Sequence, residues 1–276
     1  MFHIMLIFVC FLMGFSATLL RRHEARPQVT TSLVDLHAAP ATVSTTSPVA
    51  AHEMQEGNPN SVRAGPLAKN AKQFCHCLID GAIDAKAFME ACRGFAQVVN
   101  LLPWPMAPRA AREMLQNLAK IDATHEQCAA RSRSLAALLE WEKDQGWHKP
   151  GGRIADKSAA MGLLWARFGL QTWRNFFTAG LQMADATGME SKRQKDSVLL
   201  FRAACYTSHG ECMGWLARKG LEAATRTSMP WGMVTITLGP TTEDEMALWC
   251  DAVTAVIDTL TKMQMQLDLE DTRKSL

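Results

Sequence analysis

From residue 66 onward the apolar residues of this chain recur every three to four positions almost without a break, the spacing that lines one face of an α-helix. In residues 85–102 the stripe is Phe88, Met89, Cys92, Phe95, Val98 and Val99, and Pro103 and Pro105 stop it because proline brings no N–H to the helical ladder. Residues 109–122 repeat the pattern with Ala111, Met114, Leu115, Leu118 and Ile121. Further helices are predicted over 129–142 and 158–181, and the period kept through 192–224 predicts one long helical segment. Residues 244–269 close the chain as a helix, with Pro240, Thr241, Thr242 and Glu243 reading as its start. Strand-like alternation is nearly absent; residues 233–238 are the one β-branched run, and it is short. The folded part is predicted to be all-α.

The first residues follow a different pattern. Residues 4–20 are charge-free and mostly apolar, interrupted at Gly14, Ser16 and Thr18, close to the lower end of the roughly 17–25 residues that span a bilayer. Only the amino terminus and His3 precede this run, whereas Arg21, Arg22 and Arg26 follow it. That asymmetry favours a signal-anchor, a single N-terminal helix in the membrane with the domain facing the cytosol. The small residues around 14–17 also permit cleavage as a signal peptide, which would deliver the chain to the secretory lumen or beyond, but a basic leader segment is missing. Residues 23–66 are rich in Ala, Ser, Thr and Pro with no apolar period, the composition of a flexible tether. The chain therefore divides into 1–22 (anchor or signal), 23–66 (tether) and 67–276 (helical domain).

Composition narrows the function classes. A net charge of +2 over 276 residues implies no polyanionic partner, so nucleic acid is not expected. Eight cysteines are too few to staple so long a chain, and their apolar neighbours point to buried thiols in a reducing compartment. Eight tryptophans against one tyrosine, with sixteen methionines, suggest an adaptable interior or a membrane-facing rim. Cys75, His76 and Cys77 lack the usual zinc spacing and no second cluster completes a tetrahedron, so no metal is expected. Cys205, His209 and Cys212 could pair a thiol with a base, but no oxyanion element accompanies them. No phosphate loop or nucleophile elbow occurs. Neither catalysis nor a cofactor is expected.

The chemistry that remains is recognition. Glu113, Asn117 and Lys120 stand at i, i+4 and i+7, on one side of a predicted helix beside its apolar stripe. Trp165 sits in an apolar helical run, Met161-Gly162-Leu163-Leu164-Trp165-Ala166-Arg167-Phe168. Sugar rings have apolar C–H faces that stack on an indole, and hydroxyl edges that need convergent donors and acceptors. A carboxylate accepts, an amide does both and an ammonium donates. A ligand lacking the hydroxyls strands those groups at about 1–3 kcal/mol each.

With the helices in this order, the chain resembles the glycolipid transfer protein family. The resemblance rests on four segments: Phe88-Met89-Glu90-Ala91-Cys92, the Glu113/Asn117/Lys120 trio, Leu163-Leu164-Trp165-Ala166-Arg167-Phe168-Gly169-Leu170, and Val253 through Met263, Met265 and Leu267. It implies a two-layer helical sandwich enclosing an apolar lipid pocket, with a glycosphingolipid or related sphingolipid as ligand and a membrane surface as second partner. It further implies that Glu113, Asn117, Lys120 and Trp165 hold the sugar head group. Two departures stand out. The family's acidic anchor is Asp where this chain has Glu113. The family also places His two residues before a helical Trp, and alignment on Trp215 puts Met213 there. Methionine donates no hydrogen bond, and His209, four residues earlier, is the candidate replacement about one helical turn away. Trp215, with Lys219 nearby, fits the family's membrane-interface position. Asn117 and Trp165 stand where the phosphate-reading branch has extra basic residues, so a neutral glycolipid is expected over ceramide phosphate. The alternatives are a lipid sensor, a non-transferring interaction module of the same fold, or a ceramide-1-phosphate carrier.

Overall fold

Proline at the first position of a helix sacrifices no hydrogen bond, and Pro66 opens α1 (Pro66–Cys77) in this way. The structure, a computed structural model, describes residues 64–128, 133–149, 153–187, 190–225 and 230–271. The expected anchor and most of the tether lie outside the described residues. Among the described residues no helix is long and apolar enough to cross a membrane.

After α1 the chain makes a hairpin that the periodicity did not reveal, β1 (Leu78–Ile79) and β2 (Ala82–Ile83), antiparallel with Leu78 opposite Ile83. Its turn is Asp80-Gly81, with φ of 51° and 79°, the dipeptide and backbone that close two-residue hairpins. Asp84 then caps α2 (Ala85–Leu101) by accepting from Ala87 N–H at 2.9 Å. There follow α3 (Ala107–Cys128) and α4 (Leu135–Asp144), the latter capped by Ser134. Next come α5 (Ala159–Thr187), α6 (Glu190–His209), α7 (Trp215–Ala224), α8 (Trp231–Leu238) and α9 (Thr242–Gln266).

One expectation about the helices needs correction. The long segment over 192–224 is not one helix. It ends at His209, tightens into a 3-10 turn (Gly210–Cys212), extends through Met213 and restarts at Trp215. Gly210 and Gly214 flank this break, and glycine lowers the cost of leaving the helix. The β-branched run 233–238 lies within α8, where Trp231, Val234 and Leu238 are buried. Burial decides there over the strand preference of Val, Ile and Thr.

α1 packs on both α2 and α9, α5 packs on both α3 and α6, and the α2–α3 and α5–α9 contacts join the two layers into an all-α sandwich. α9 runs antiparallel to α5, with Trp249 against Phe177 near one end and Glu270 on Arg167 near the other. The core beneath the first layer is aromatic. Phe95 stacks on Trp249 with centroids 4.3 Å apart, and Phe74 and Phe177 meet the same indole edge-on. A buried polar residue of this layer, Asn70, is fully engaged. Its Oδ1 accepts from Trp249 Nε1–H at 2.8 Å, and its Nδ2 donates to Ala91 O and Gln73 Oε1.

Two buried acids tie distant parts of the chain through helix N-termini, where unpaired N–H groups attract carboxylates. Glu245 accepts from Gly65 N–H at 2.7 Å and from Ala68 N–H at 3.2 Å, at the start of α1. Glu142 does the same for α5 and is treated next, because α5 carries the site.

Candidate functional site

α5 begins under tight control. Ser158 caps it, accepting from Met161 N–H at 3.1 Å, while the fully buried Glu142 accepts from Ala159 and Ala160 N–H. The same carboxylate accepts from Thr124 Oγ1 on α3 at 3.0 Å, and His148 Nε2 lies 3.3 Å from it. One side chain from α4 thus sets α3 and α5 relative to each other. A close approach follows at Gly162: a methyl there would sit 2.5 Å from Asn117 O and 3.3 Å from Lys120 Cβ. Only a residue without Cβ lets α3 press so close, and Trp165 follows three residues later on α5.

The structure therefore brings Asn117 and Lys120 beside the helix segment that carries Trp165. Lys120 Nζ donates to Asn117 Oδ1 at 3.2 Å. Burial draws the Lys120 ammonium below its ordinary pKa, and the Asp156 carboxylate opposes that by favouring the charged form. Glu113 stands apart. It is exposed one turn earlier on α3, and Arg109 Nε donates to its Oε1 at 3.2 Å.

Against Trp165 the structure places His209. The two rings lie 6.2 Å apart, edge to face, and Phe168 stacks on the imidazole at 5.9 Å. Trp165 Nε1 and His209 Nδ1 are both buried and make no hydrogen bond to the protein. Burial pushes the His209 pKa down to about 4, so the ring is neutral at physiological pH. The expectation that His209 and Met213 share a helix face fails, because α6 ends at His209; Met213 sits on the extended link before α7. Its carbonyl accepts from Arg218 Nε at 3.3 Å. Trp215 is 72% exposed at the first turn of α7, and Lys219 donates to Glu222 at 2.9 Å.

Three contributors escaped the sequence reading. Phe168 completes an aromatic wall with Trp165 and His209. Arg167, buried, forms a two-pronged pair with Glu270 at 2.6 and 2.9 Å and lies over the Phe168 ring. Glu142 is the third. Spacing marks each as an ordinary helical position; a phenylalanine one turn after Trp165 was the available signal.

The thiols that suggested other chemistry are placed against it. Burial pushes both Cys77 and Cys205 up to about 12, so both stay protonated at neutral pH. Cys75 is exposed while Cys77 is buried and donates to Phe74 O.

The Glycolipid transfer protein (GLTP) family profile matches residues 83–230. Solved structures superpose over most of the chain. Human ceramide-1-phosphate transfer protein in complex with 12:0 ceramide-1-phosphate aligns with a TM-score of 0.64 at 15% identity, over 75% of this chain and 98% of its own. The GLTP-fold of FAPP2, described as selecting simple glycosphingolipids, aligns at 0.63 and 16%, over 76% and 99%. The fungal glycolipid transfer protein HET-C2 aligns at 0.57 and 18%, over 72% and 95%. At such identities the likeness speaks for the fold. No curated protein matches the chain by sequence.

Proposed function

The chain belongs to the glycolipid transfer protein family, and from that premise we propose that it binds a sphingoid glycolipid and carries it between membranes. The observation that carries this reading is the pair of buried, unpaired polar atoms, Trp165 Nε1 and His209 Nδ1, on two rings that meet edge to face with centroids 6.2 Å apart. A buried polar atom without a partner costs about 1–3 kcal/mol, and a ligand that pairs it recovers that energy. Asn117 and Lys120 add an acceptor and donors beside the same stretch of α5, and Trp165 adds the flat apolar face. Glu113 joins them by releasing Arg109, a surface pair of small worth. His209, reached from the end of α6, serves where the family histidine is replaced by Met213.

Charge favours a sugar over a phosphate. A phosphomonoester brings about −1.5 to −2 charges and calls for cationic forks. Here His209 is neutral, Arg109 faces Glu113 and Arg167 is held by Glu270. Lys120 is engaged with Asn117. The acyl chains lie between the helical layers in this reading, shielding methylenes whose exposure to water costs roughly 0.8 kcal/mol each. Exposed Trp215, with Lys219 one turn on, meets the membrane surface. Residues 4–20, retained as an anchor, confine the exchange to the reach of the 23–66 tether.

The test is transfer of fluorescent galactosylceramide or glucosylceramide from donor to acceptor vesicles. Transfer that depends on Trp165 is expected; no extraction, and no difference between the wild type and Trp165→Ala, sinks the reading in favour of a sensor or a non-transferring module.

A further inference from the structure

We propose that Gln264 is a specificity-determining residue of the lipid site, an amide set among apolar side chains that takes a hydroxyl group carried on the chains of the lipid. The inference rests on the reading above, in which those chains lie between the helical layers, and it names a polar contact outside the head-group residues. Gln264 is fully buried, and neither its Oε1 nor its Nε2 has a hydrogen-bond partner among the described residues. Asn70, Thr124, Glu142, Thr172, Thr225 and Glu245 are buried as well, and each of those side chains makes at least one hydrogen bond. Trp104 and Trp231 also bury an unpaired N–H, but an indole carries one polar atom on a large apolar ring. The Gln264 amide is polar at both terminal atoms, so burial without partners is unfavourable at each and returns little. A leucine or methionine in the same place would leave no polar atom unpaired.

Helical spacing puts this amide on the core side of α9. Val253, Ile257 and Leu260 are buried on the same helix, and Gln264, four residues beyond Leu260, is the next position of their stripe. α9 supplies, with α5, one of the contacts that join the two layers. Just past Gln264 the chain turns back on itself. Leu269 N–H donates to Gln264 O at 2.8 Å, and the following residue, Glu270, holds Arg167 of α5 at 2.6 and 2.9 Å. Gln264 thus sits at the end of α9 that is fastened to α5 two positions after Trp165. A glutamine amide accepts at Oε1 and donates at Nε2, and a hydroxyl both donates and accepts at one oxygen, so a single O–H can pair with either atom. A methylene chain can pair with neither. A lipid that brings a hydroxyl to the amide recovers what an unsubstituted chain leaves unpaired. Two places on a sphingoid lipid can carry it: carbon 2 of the acyl chain, or an added hydroxyl on the long-chain base.

The experiment uses the full-length protein and vesicles carrying three galactosylceramides at equal mole fraction: an unsubstituted form, a form hydroxylated at carbon 2 of its acyl chain, and a form with an added hydroxyl on its long-chain base. Mass spectrometry of the extracted lipid reads their ratios. The wild type is expected to favour a hydroxylated form over the unsubstituted one by about fivefold, and the form it favours identifies the source of the hydroxyl. Gln264→Leu and Gln264→Met replace the amide by apolar atoms of similar volume. Both should bring that ratio to about one while uptake of the unsubstituted lipid per folded molecule is kept. A merely structural role would change total uptake and leave the ratio alone. Equal extraction of all three lipids by the wild type, or a preference that survives in both variants, overturns the assignment and leaves the glycolipid reading intact. If the wild type extracts none of the three, the reading falls and takes the assignment with it.

Discussion

Trp249 and Trp165 occupy the same kind of place, an indole on a long helix walled by aromatic rings, and they end differently. Trp249 is fully buried, and its N–H meets Asn70, whose remaining polar atoms meet Ala91 and Gln73. Trp165 is half-buried, and its N–H and the facing His209 Nδ1 meet nothing in the protein. The first region is complete in itself. The second carries unpaired polar atoms that a protein optimised only for stability would pair or replace. Burial and aromatic packing do not separate these two indoles; the partner of the N–H does, although the core residues Trp104 and Trp231 also carry buried N–H groups without a partner.

The strongest way to break the comparison is to remove each indole. Trp249→Ala should cost about 3–5 kcal/mol in urea unfolding, while lipid uptake per folded molecule stays near wild type. A comparable loss of stability from Trp165→Ala would make both residues core and dissolve the contrast.

The next effect is acid sensitivity, which belongs to one region only. His209 titrates near 4 in the folded protein against an ordinary value of 6.5, so on acidification the unfolded chain takes the proton first. Its contribution to stability is complete above 6.5 and is lost as the pH falls toward 4, up to about 3 kcal/mol. Denaturation midpoints measured across that window should drop for the wild type and flatten for His209→Phe.

Smaller, and directed at the helix contact rather than the rings, is Gly162→Ala. Its methyl meets Asn117 O and must part α3 from α5. A cost of about 1–3 kcal/mol is expected, together with reduced glycolipid uptake although no ligand-pairing group has been removed. Normal uptake would mean that the α3–α5 spacing is irrelevant to the site.

The subtlest change sharpens the comparison most. Trp165→Phe deletes an unpaired donor and should leave stability within about 0.5 kcal/mol, yet weaken glycolipid uptake about fivefold through one lost hydrogen bond. Trp249→Phe, which orphans Asn70 Oδ1, should do the reverse: a loss of about 1–2 kcal/mol with uptake unchanged.

Much of the fold was legible because apolar period and burial agree. Phe88, Cys92, Phe95 and Val99 face the core as their spacing requires, and Pro103 lies just past the end of α2. The break after His209 was not legible, since Cys205 and Cys212 keep a helical interval across it. The Asp80-Gly81 turn was legible and overlooked among helices. At the site, Asn117, Lys120 and Trp165 were reached through resemblance, and the structure sets them on adjoining helices. Glu142 was hidden for a physical reason: its partners are backbone N–H groups and a threonine on another helix, and neither leaves a mark in a residue pattern.

The Glu245 carboxylate on the first N–H groups of α1 has a mechanical consequence. Gly65 stands just before α1, and its N–H is fastened to Glu245 on α9. A pull arriving along the preceding residues is passed to α9 by a charge-assisted bond and spread into the layer that holds Trp249. Trp165 lies twelve residues from Phe177, the residue of α5 that touches Trp249, which is about 18 Å along the helix. A load on Gly65 therefore enters the sandwich on the half of α5 remote from Trp165.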